Sequence, residues 1–340
     1  MSGGVDSSVA AARLVRQGHS VTGVTMQVLP EGEDPGRCCS TDAVRAARRV
    51  CDHLGIEHYT LNMRDVFESE VVAPFVREYA AGRTPNPCIA CNDRVKFAIL
   101  LARARTHGAD SLASGHYARI VADETGSLWL HRGRDVSKDQ SYFLYRLDEP
   151  AIRFVCFPLG DVTKAEVREE ARALGLPTAE RPESQEICFI PDDVGSFVVN
   201  RAPVAGESGP IVDEKGIHVG THDGIARYTI GQRKGLGLSG GPWYVARIRA
   251  DENIVVVCHG TPAPITTIEL EDAVWRPEGH ERIEAVIRYR ATSVPAQARW
   301  SGGRLTVELD SPAGGVACGQ AVVCYVGDRV VGGGVVGATR

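Results

Sequence analysis

The chain has no apolar run approaching the ~20 residues a membrane span needs. Its opening also lacks the basic, apolar and small-residue order of a secretory leader. A cytoplasmic protein with no membrane partner is therefore expected. Basic charge is not in excess either. The formal net charge is −5, which argues against a protein that coats nucleic acid indiscriminately. A local basic groove stays open, because phosphate attraction is short-ranged at physiological salt. Beyond about residue 210, helical periodicity is nearly lost. What the chain does have is cysteine, ten of them. In a reducing compartment these point to metal binding or thiol chemistry rather than structural disulfides. The 340 residues, 43% hydrophobic and 24% charged, suit a soluble globular protein of two or three domains.

Residues 1 to about 200 alternate between helical and strand patterns. "SSVAAARLVRQG" puts Ala10, Ala11, Leu14 and Val15 on one helical face and stops at Gly18. "HSVTGVTMQV" reads as a buried strand. "TDAVRAARRVCDHLG" repeats the scheme, with Thr41 as N-cap and a stripe of Val44, Ala47, Val50, Cys51 and Leu54 before Gly55. "IEHYTLN" is the next strand and "DRVKFAILLARARTHG" the next helix. In "TKAEVREEARALG", Thr163 and Glu166 have capping-box spacing. Alternating strands and helices predict an α/β fold: a parallel sheet with helices on both faces.

After the Pro/Gly-rich "RAPVAGESGP" (201–210) the pattern changes to hairpins, "GPIVDEKGIHVG" and "WYVARIRADENIVVVC". Short alternating strands with glycine turns continue to the end and suit a small barrel. A second break falls near "HGTPAPI" (259–265). The expected domains are 1–203, an ATP-binding catalytic domain; 204–261, a β-rich central domain; and 262–340, a C-terminal β-barrel.

Chemistry begins at "MSGGVDSS". Ser2, Gly3 and Gly4 run straight into a helix, so free backbone N–H groups and the positive dipole end converge on one point. That geometry binds phosphate, and the glycines let the backbone come close. The lysine of G-x-x-x-x-G-K-[ST] is absent, which excludes the usual NTPase loop. The run resembles instead the SGGxDS loop of the ATP-pyrophosphatase (PP-loop) superfamily, whose members cleave ATP to AMP and pyrophosphate. A second motif is "GRTPNPCIACNDRVKF" (82–97), in which Cys88 and Cys91 precede a helix at C-x-x-C spacing. A helix N-terminus lowers a thiol's pKa. A zinc half-site completed by Cys38 and Cys39 is an alternative, whereas the Pro-rich surroundings do not suit a thioredoxin-type redox pair. Cys188, in "PESQEICFIPD", reads by itself as a buried core thiol. "GLGLSG" (235–240) matches G-x-G-x-x-G by letters only, since it follows no βα unit and opens no helix. His218 and His222 read as solvent-facing histidines rather than a metal pair.

Together with "GHYARI" (115–120), "KDQSYFL" (138–144) and "GTHDGIARYTIGQRKGLG" (220–237), these motifs resemble the tRNA-specific 2-thiouridylase family (MnmA-type) from residue 1 to the "GGG" strand near the C-terminus. The resemblance implies an adenine nucleotide alpha hydrolase-like fold. It also implies a sulfurtransferase acting on the wobble uridine of certain tRNAs: ATP adenylates the C2 oxygen, and a persulfide sulfur then attacks C2. It implies ATP contacts at Ser2, Gly3, Gly4, Val5, Asp6, Ser7, Met26 and Gly115, with magnesium alongside ATP and Asp6 as an indirect partner of that ion. Cys91 matches the family's nucleophile and Cys188 its persulfide carrier. Asn86, Pro87 and Cys88 would lie beside the target base. His116, Lys138, Asp139 and Gln140 would contact tRNA, as would the basic cluster Arg227, Arg233 and Lys234; Arg288, Tyr289 and Gln320 are weaker candidates. The target uridine would have to be splayed out of the anticodon loop. A cysteine desulfurase or a sulfur-carrier protein is the implied sulfur donor.

The chain departs from the family at two places. One branch has Asp where this chain has Cys88, a candidate acid or base whose role must lapse or pass elsewhere here. Cys88, Cys91 and Cys188 could in exchange hold an iron–sulfur cluster with one iron left open for sulfide. Relatives also carry a short hydrophobic strand before the SGGVDS run. Without it, the sheet is expected to expose unpaired edges and the chain to be poorly stable or weak in ATP binding. Rival readings are a PP-loop ligase that does not need Cys91 and Cys188, a sulfur carrier or RNA-binding protein with a dead nucleotide loop, and a structural zinc protein.

Overall fold

The computed structural model describes residues 1–29, 41–182, 187–260, 262–277 and 280–340. Cys38 and Cys39 of the zinc reading lie outside the described residues. The chain forms two compact units, each discontinuous in sequence. The first comprises Met1–Val71, Cys88–Pro191 and Asp328–Val330; the second comprises Val72–Pro87, Asp192–Gly327 and Val331–Arg340.

The first unit is α/β. Helix α1 (Val5–Arg16) leads to strand β1 (Thr22–Gln27), and α2 (Thr41–Leu54) to β2 (Glu57–Asn62). β1 and β2 pair in parallel from Thr22 opposite Glu57 to Gln27 opposite Asn62. β3 (Leu112–Ala113) pairs in parallel with β6 (Val155–Cys156), and between them β4 (Ala118–Ala122) and β5 (Leu128–Arg132) form an antiparallel hairpin. Among the described residues of this unit the parallel strands are thus two pairs and not one continuous sheet. The Met1 amino group donates to the Val24 carbonyl of β1.

Burial follows the predicted periods with one correction. α1 buries Val5, Ser8, Val9 and Ala12 along with Ala10 and Ala11, while Leu14 and Val15 stay partly exposed. The reason is the partner: helix Lys164–Ala173 presents Val167 and Ala171 to the N-terminal half of α1, closing a core with Val50, Tyr117, Leu159 and Leu176. Each large apolar side chain buried there contributes ~1.5–3 kcal/mol. The capping box forms as the spacing predicts, with Glu166 Oε2 accepting from Thr163 N at 2.6 Å and Thr163 Oγ1 accepting from Glu166 N at 3.3 Å.

The second unit is β-rich. β7 (Gly209–Asp213), β8 (His218–His222), β9 (Trp243–Arg249) and β10 (Ile254–His259) form a sheet of order β8-β7-β10-β9. Both predicted hairpins are present, β7 with β8 and β9 with β10. Six strands follow: β11 (Ile265–Trp275), β12 (His280–Val286), β13 (Val294–Ser301), β14 (Arg304–Ala313), β15 (Ala321–Val326) and β16 (Arg329–Thr339). Their order β11-β14-β13-β12-β15-β16 closes through β11–β16 pairing, Leu270 opposite Val336. Closure removes the free edges that short strands otherwise expose. His222 corrects the sequence reading: it is fully buried, with Nδ1 accepting from Gly224 N at 3.1 Å and Nε2 3.0 Å from the Asn253 carbonyl. Those two bonds offset the cost of burying a polar ring. His218 is exposed, as expected.

Candidate functional site

The opening run ties itself into a tight loop through its own polar groups. Ser2 N donates to Ser7 Oγ at 3.1 Å, and Ser7 Oγ donates to the Gly4 carbonyl at 3.1 Å. Ser8 Oγ donates to the same carbonyl at 2.8 Å and itself accepts from Thr178 Oγ1 at 2.9 Å. Gly4, the N-cap of α1, brings no capping side chain. The first N–H groups of α1 therefore have no side-chain cap, at the positive end of the helix dipole. Gly3 has φ +70, and a Cβ there would stand 2.3 Å from the Ala43 carbonyl oxygen. Gly3 is thus required by the backbone. A Cβ at Gly4 would meet only Ser2 Oγ, at 3.6 Å, so the fold leaves space over Gly4. Arg181 Nη1 donates to the Gly3 carbonyl at 3.0 Å, placing a cation beside the loop.

Asp6, in the first turn, accepts from Lys164 Nζ at 2.6 Å and from Tyr117 OH at 2.7 Å, both on Oδ1. Lys164 is 8% exposed and begins its helix, where the dipole disfavours a cation; Asp6 offsets that. Sequence reading treated "TKAEVREEARALG" only as a capped helix and missed Lys164. The available signal was a lysine directly after the N-cap, a position that favours acids. Met26 is buried on β1.

Residues 115–117 join this loop to the cysteine helix. A Cβ on Gly115 would lie 2.8 Å from Ser7 N, so this glycine lets the two backbones touch. Tyr117 reaches Asp6, and its own N–H donates to Gln140 Oε1 at 3.1 Å. His116 packs against Phe97 and Phe157, with ring centroids 5.9 and 6.0 Å away, and pairs with Ser114 Oγ through Nδ1 at 2.7 Å. Burial, and then the nearby Lys96 ammonium, hold its pKa well below the usual histidine value, so its ring is neutral at pH 7. Asp139 is buried and committed to its own turn: it accepts from Gly133 N at 2.9 Å and from Ser141 N and Oγ at 3.1 and 2.8 Å.

The cysteine helix begins earlier than the sequence suggested. Pro87–Ala90 is already helical, and Cys91–Leu100 continues as a π-helix. Cys88 is therefore the thiol in the first turn, exposed, while Cys91 lies one turn in. Burial pushes the Cys91 thiol up, with Lys96 pulling the other way. This corrects the expectation of a thiol pKa lowered by the helix N-terminus: desolvation outweighs the dipole at this depth. A π-helix brings residues five apart into line, which puts Lys96 on the same side as Cys91. Lys96 Nζ donates to Asn92 Oδ1 at 3.0 Å, and Asn92 Nδ2 donates to the Phe143 carbonyl at 3.2 Å. Sequence reading missed Lys96 because 3.6-residue periodicity does not align it with Cys91.

Cys188 is partly exposed. Its neighbour Phe189 packs edge-to-face on Phe67, centroids 5.6 Å apart. Phe67 ends helix Arg64–Phe67, and the π-turn Glu68–Val72 that follows carries Glu70, 3.9 Å from Arg94 of the cysteine helix. Both cysteine segments thus border one short helical stretch. None of the eight described cysteines is in a disulfide. Among the described residues no group of three or more His, Cys, Asp or Glu could hold a metal ion. Among the described residues Cys88, Cys91 and Cys188 are not gathered into the ligand set that an iron–sulfur cluster needs.

The other candidates lie in the second unit. Arg227 is engaged, with Nε donating to the Asp223 carbonyl at 3.1 Å and Nη1 3.7 Å from Asp193. Arg233, Lys234 and Arg288 are exposed. Tyr289 lies under Arg290, 5.3 Å from Cζ to the ring centroid, and Gln320 Oε1 is buried without a hydrogen-bond partner among the described residues. Asn86 and Pro87 belong to this unit, Cys88 to the first.

Residues 1–192 match the family model described as the tRNA methyl transferase HUP domain, residues 196–259 the tRNA methyl transferase PRC-barrel domain, and residues 265–336 the aminomethyltransferase beta-barrel domain. A tRNA-specific 2-thiouridylase MnmA of Moorella thermoacetica is 47% identical, covering 99% of this chain and 98% of its own length. That of Carboxydothermus hydrogenoformans is also 47% identical, over 99% and 96%, and that of Chloroflexus aurantiacus 45%, over 98% and 96%. Among solved structures, an NMN synthetase from Francisella tularensis aligns with 54% of this chain and 63% of its own at TM-score 0.32 and 20% identity, too slight a likeness to carry an argument. Matched by relatives at this identity along nearly its whole length, the chain belongs to the tRNA-specific 2-thiouridylase family.

Proposed function

We propose that this chain makes 2-thiouridine at the wobble position of tRNA, spending ATP. The uridine C2 oxygen attacks the α-phosphorus of ATP, the bond to the β-phosphate oxygen breaks, and pyrophosphate leaves with the electron pair. The glycine loop and the first N–H groups of α1 receive the phosphates, with Gly115 and Met26 completing the nucleotide site. The terminal sulfur of a Cys188 persulfide then attacks C2, and AMP departs carrying the former C2 oxygen. Cys91 attacks Cys188 Sγ, which breaks the sulfur–sulfur bond, frees the thiocarbonyl and leaves a Cys91–Cys188 disulfide; a thiol reductant reopens it.

The observation that carries this reading is the continuity of contact through one unit. The segment 115–117 touches the phosphate loop at Gly115 and Tyr117 and the Cys91 helix at His116. That continuity supports assigning adenylation and sulfur transfer to neighbouring places around one backbone turn. Neutral His116 suits a hydrogen-bonding partner of an uncharged base. Asn86, Pro87 and Cys88 are assigned to the target base. Arg227, Arg233, Lys234, Arg288, Tyr289 and Gln320 are assigned to the tRNA body, as are Lys138 and Gln140, and Asp139 to holding the turn that carries those last two. Magnesium travels with ATP; the Asp6 carboxylate, already bonded to Lys164 and Tyr117, suits an indirect partner of that ion better than a direct ligand. A cysteine desulfurase or carrier protein supplies the persulfide sulfur, and divisions at about residues 203 and 261 set off a central and a C-terminal domain that add tRNA contacts to those of the catalytic domain.

The test is mass-spectrometric detection of 2-thiouridine after incubating the full chain with unmodified tRNA, ATP and a sulfide source without air. Product that requires ATP and vanishes in Cys91→Ala and Cys188→Ala supports the reading. ATP cleavage that persists undiminished without either cysteine and without tRNA points instead to a ligase of the same loop type.

A further inference from the structure

The glycine-rich loop "GLGLSGG" in the second unit is not used by the chemistry above, yet it is built rather than slack. Its stem is fixed by Gly231 N donating to the Val245 carbonyl at 2.8 Å and Val245 N donating to the Gln232 carbonyl at 3.0 Å. The Gln232 side chain accepts from Thr229 N and donates to the Lys234 carbonyl, both at 3.0 Å. At the crown, Trp243 Nε1 donates to the Ser239 carbonyl at 2.9 Å. The braced loop encloses an open cavity of about 350 Å³ whose walls include Leu236, Leu238, Pro242 and Trp243, with Arg233 at its edge. The Trp243 ring is backed by the His259 ring, centroids 3.6 Å apart and planes 32° apart. Among the described residues, neither Arg233 nor Lys234 has a carboxylate partner.

Trp243, two leucines, a proline and the Arg233 guanidinium line one cavity, a combination that suits a planar group joined to an anion. The volume suits a ligand of nucleoside size. Bases of single-stranded RNA are read in this way, by stacking on aromatic rings beside a cation that takes the backbone phosphate. We propose that this cavity holds one unpaired nucleotide of the tRNA substrate, its base against Trp243 and its phosphate on Arg233. The inference rests on the reading that the chain acts on tRNA, and it adds a contact point made by residues other than those that do the chemistry.

The experiment measures binding of unmodified tRNA to the full chain across a salt series, with ATP binding followed on the same preparations. Trp243→Leu weakens tRNA binding about tenfold, the loss of one stacked base, and Trp243→Tyr recovers most of it. Arg233→Gln lowers the slope of log K against log salt by about 0.7, one single-strand phosphate. ATP binding is unchanged in all three. If Trp243→Leu does not fold, protection of Trp243 from hydroxyl-radical oxidation by tRNA bound to the wild-type chain decides. Wild-type tRNA affinity in Trp243→Leu, or a Trp243 that bound tRNA does not protect, overturns the proposal alone. Normal tRNA binding with lost transfer from a protein sulfur donor also overturns it, assigning the cavity to that donor. A wild-type chain that binds no tRNA overturns the functional reading and this proposal together.

Discussion

Lys164 Nζ lies 2.6 Å from Asp6 Oδ1, and the two residues are 158 positions apart in the chain. The pair pins the start of helix Lys164–Ala173 to the first turn of α1, directly behind the phosphate loop. Tyr117 shares the same carboxylate oxygen, so one Asp oxygen joins three segments.

Removing the cation leaves that carboxylate under-compensated in a half-buried place. Lys164→Met is expected to destabilise the chain by about 2 kcal/mol, below the cost of breaking a fully buried pair, and to weaken ATP binding as the loop loosens. A urea-unfolding midpoint equal to wild type would show that the pair does not hold the loop.

The two loop glycines separate folding from ligand approach. Gly3→Ala forces a left-handed backbone and a 2.3 Å clash with Ala43, and should be unstable. Gly4→Ala, with extended φ −95 and open space, should keep its melting temperature within a few degrees yet lose ATP affinity. Calorimetric titration with ATP checks this. Unimpaired ATP binding by Gly4→Ala would place the phosphates elsewhere.

Cys91 and Cys88 should respond differently to alkylation. Burial raises the Cys91 thiol pKa while Lys96 opposes the rise, so Lys96→Met should raise it further and slow iodoacetamide labelling of Cys91 at pH 8. Exposed Cys88 serves as the control in the same tryptic peptide. Peptide-level mass spectrometry reads both rates; an equal slowing at both thiols would indicate a structural effect and not removal of a charge.

His116 links pH to stability with a definite sign. Its folded pKa is depressed, so below the unfolded value of about 6.5 the unfolded chain binds a proton that the folded chain refuses. Stability from this group is complete above that value and falls as pH drops, at most about 1.4 kcal/mol per pH unit. His58, His131 and His222 are shifted the same way. His116→Asn should therefore flatten, but not abolish, the decline in urea midpoint between pH 7 and 5. An unchanged slope would remove His116 from the account.

The glycine-led helix start and the capped helix were legible because short-range rules govern them. A glycine run opening a helix needs no distant partner to expose N–H groups, and Thr163 and Glu166 cap their helix through a local bond. The hairpins of the second unit were equally legible, since alternation and turn residues act over a dozen positions. Other features escaped that kind of reading. Leu14 and Val15 lie on the apolar stripe of α1, but the stripe that buries is the one facing Val167 and Ala171. His222 looked exposed from its polar neighbours and became internal because Asn253, on a distant turn, supplied its partner.

By itself, then, the sequence determined the elements, the phosphate loop and the family, each set by neighbours within a few residues or by ordered motifs. The tertiary structure decided which faces are buried, that Cys91 is desolvated, that His116 is neutral, and that Lys164 meets Asp6 across 158 positions of chain. Those outcomes depend on long-range packing and on the dielectric it creates, and neither is written in local order.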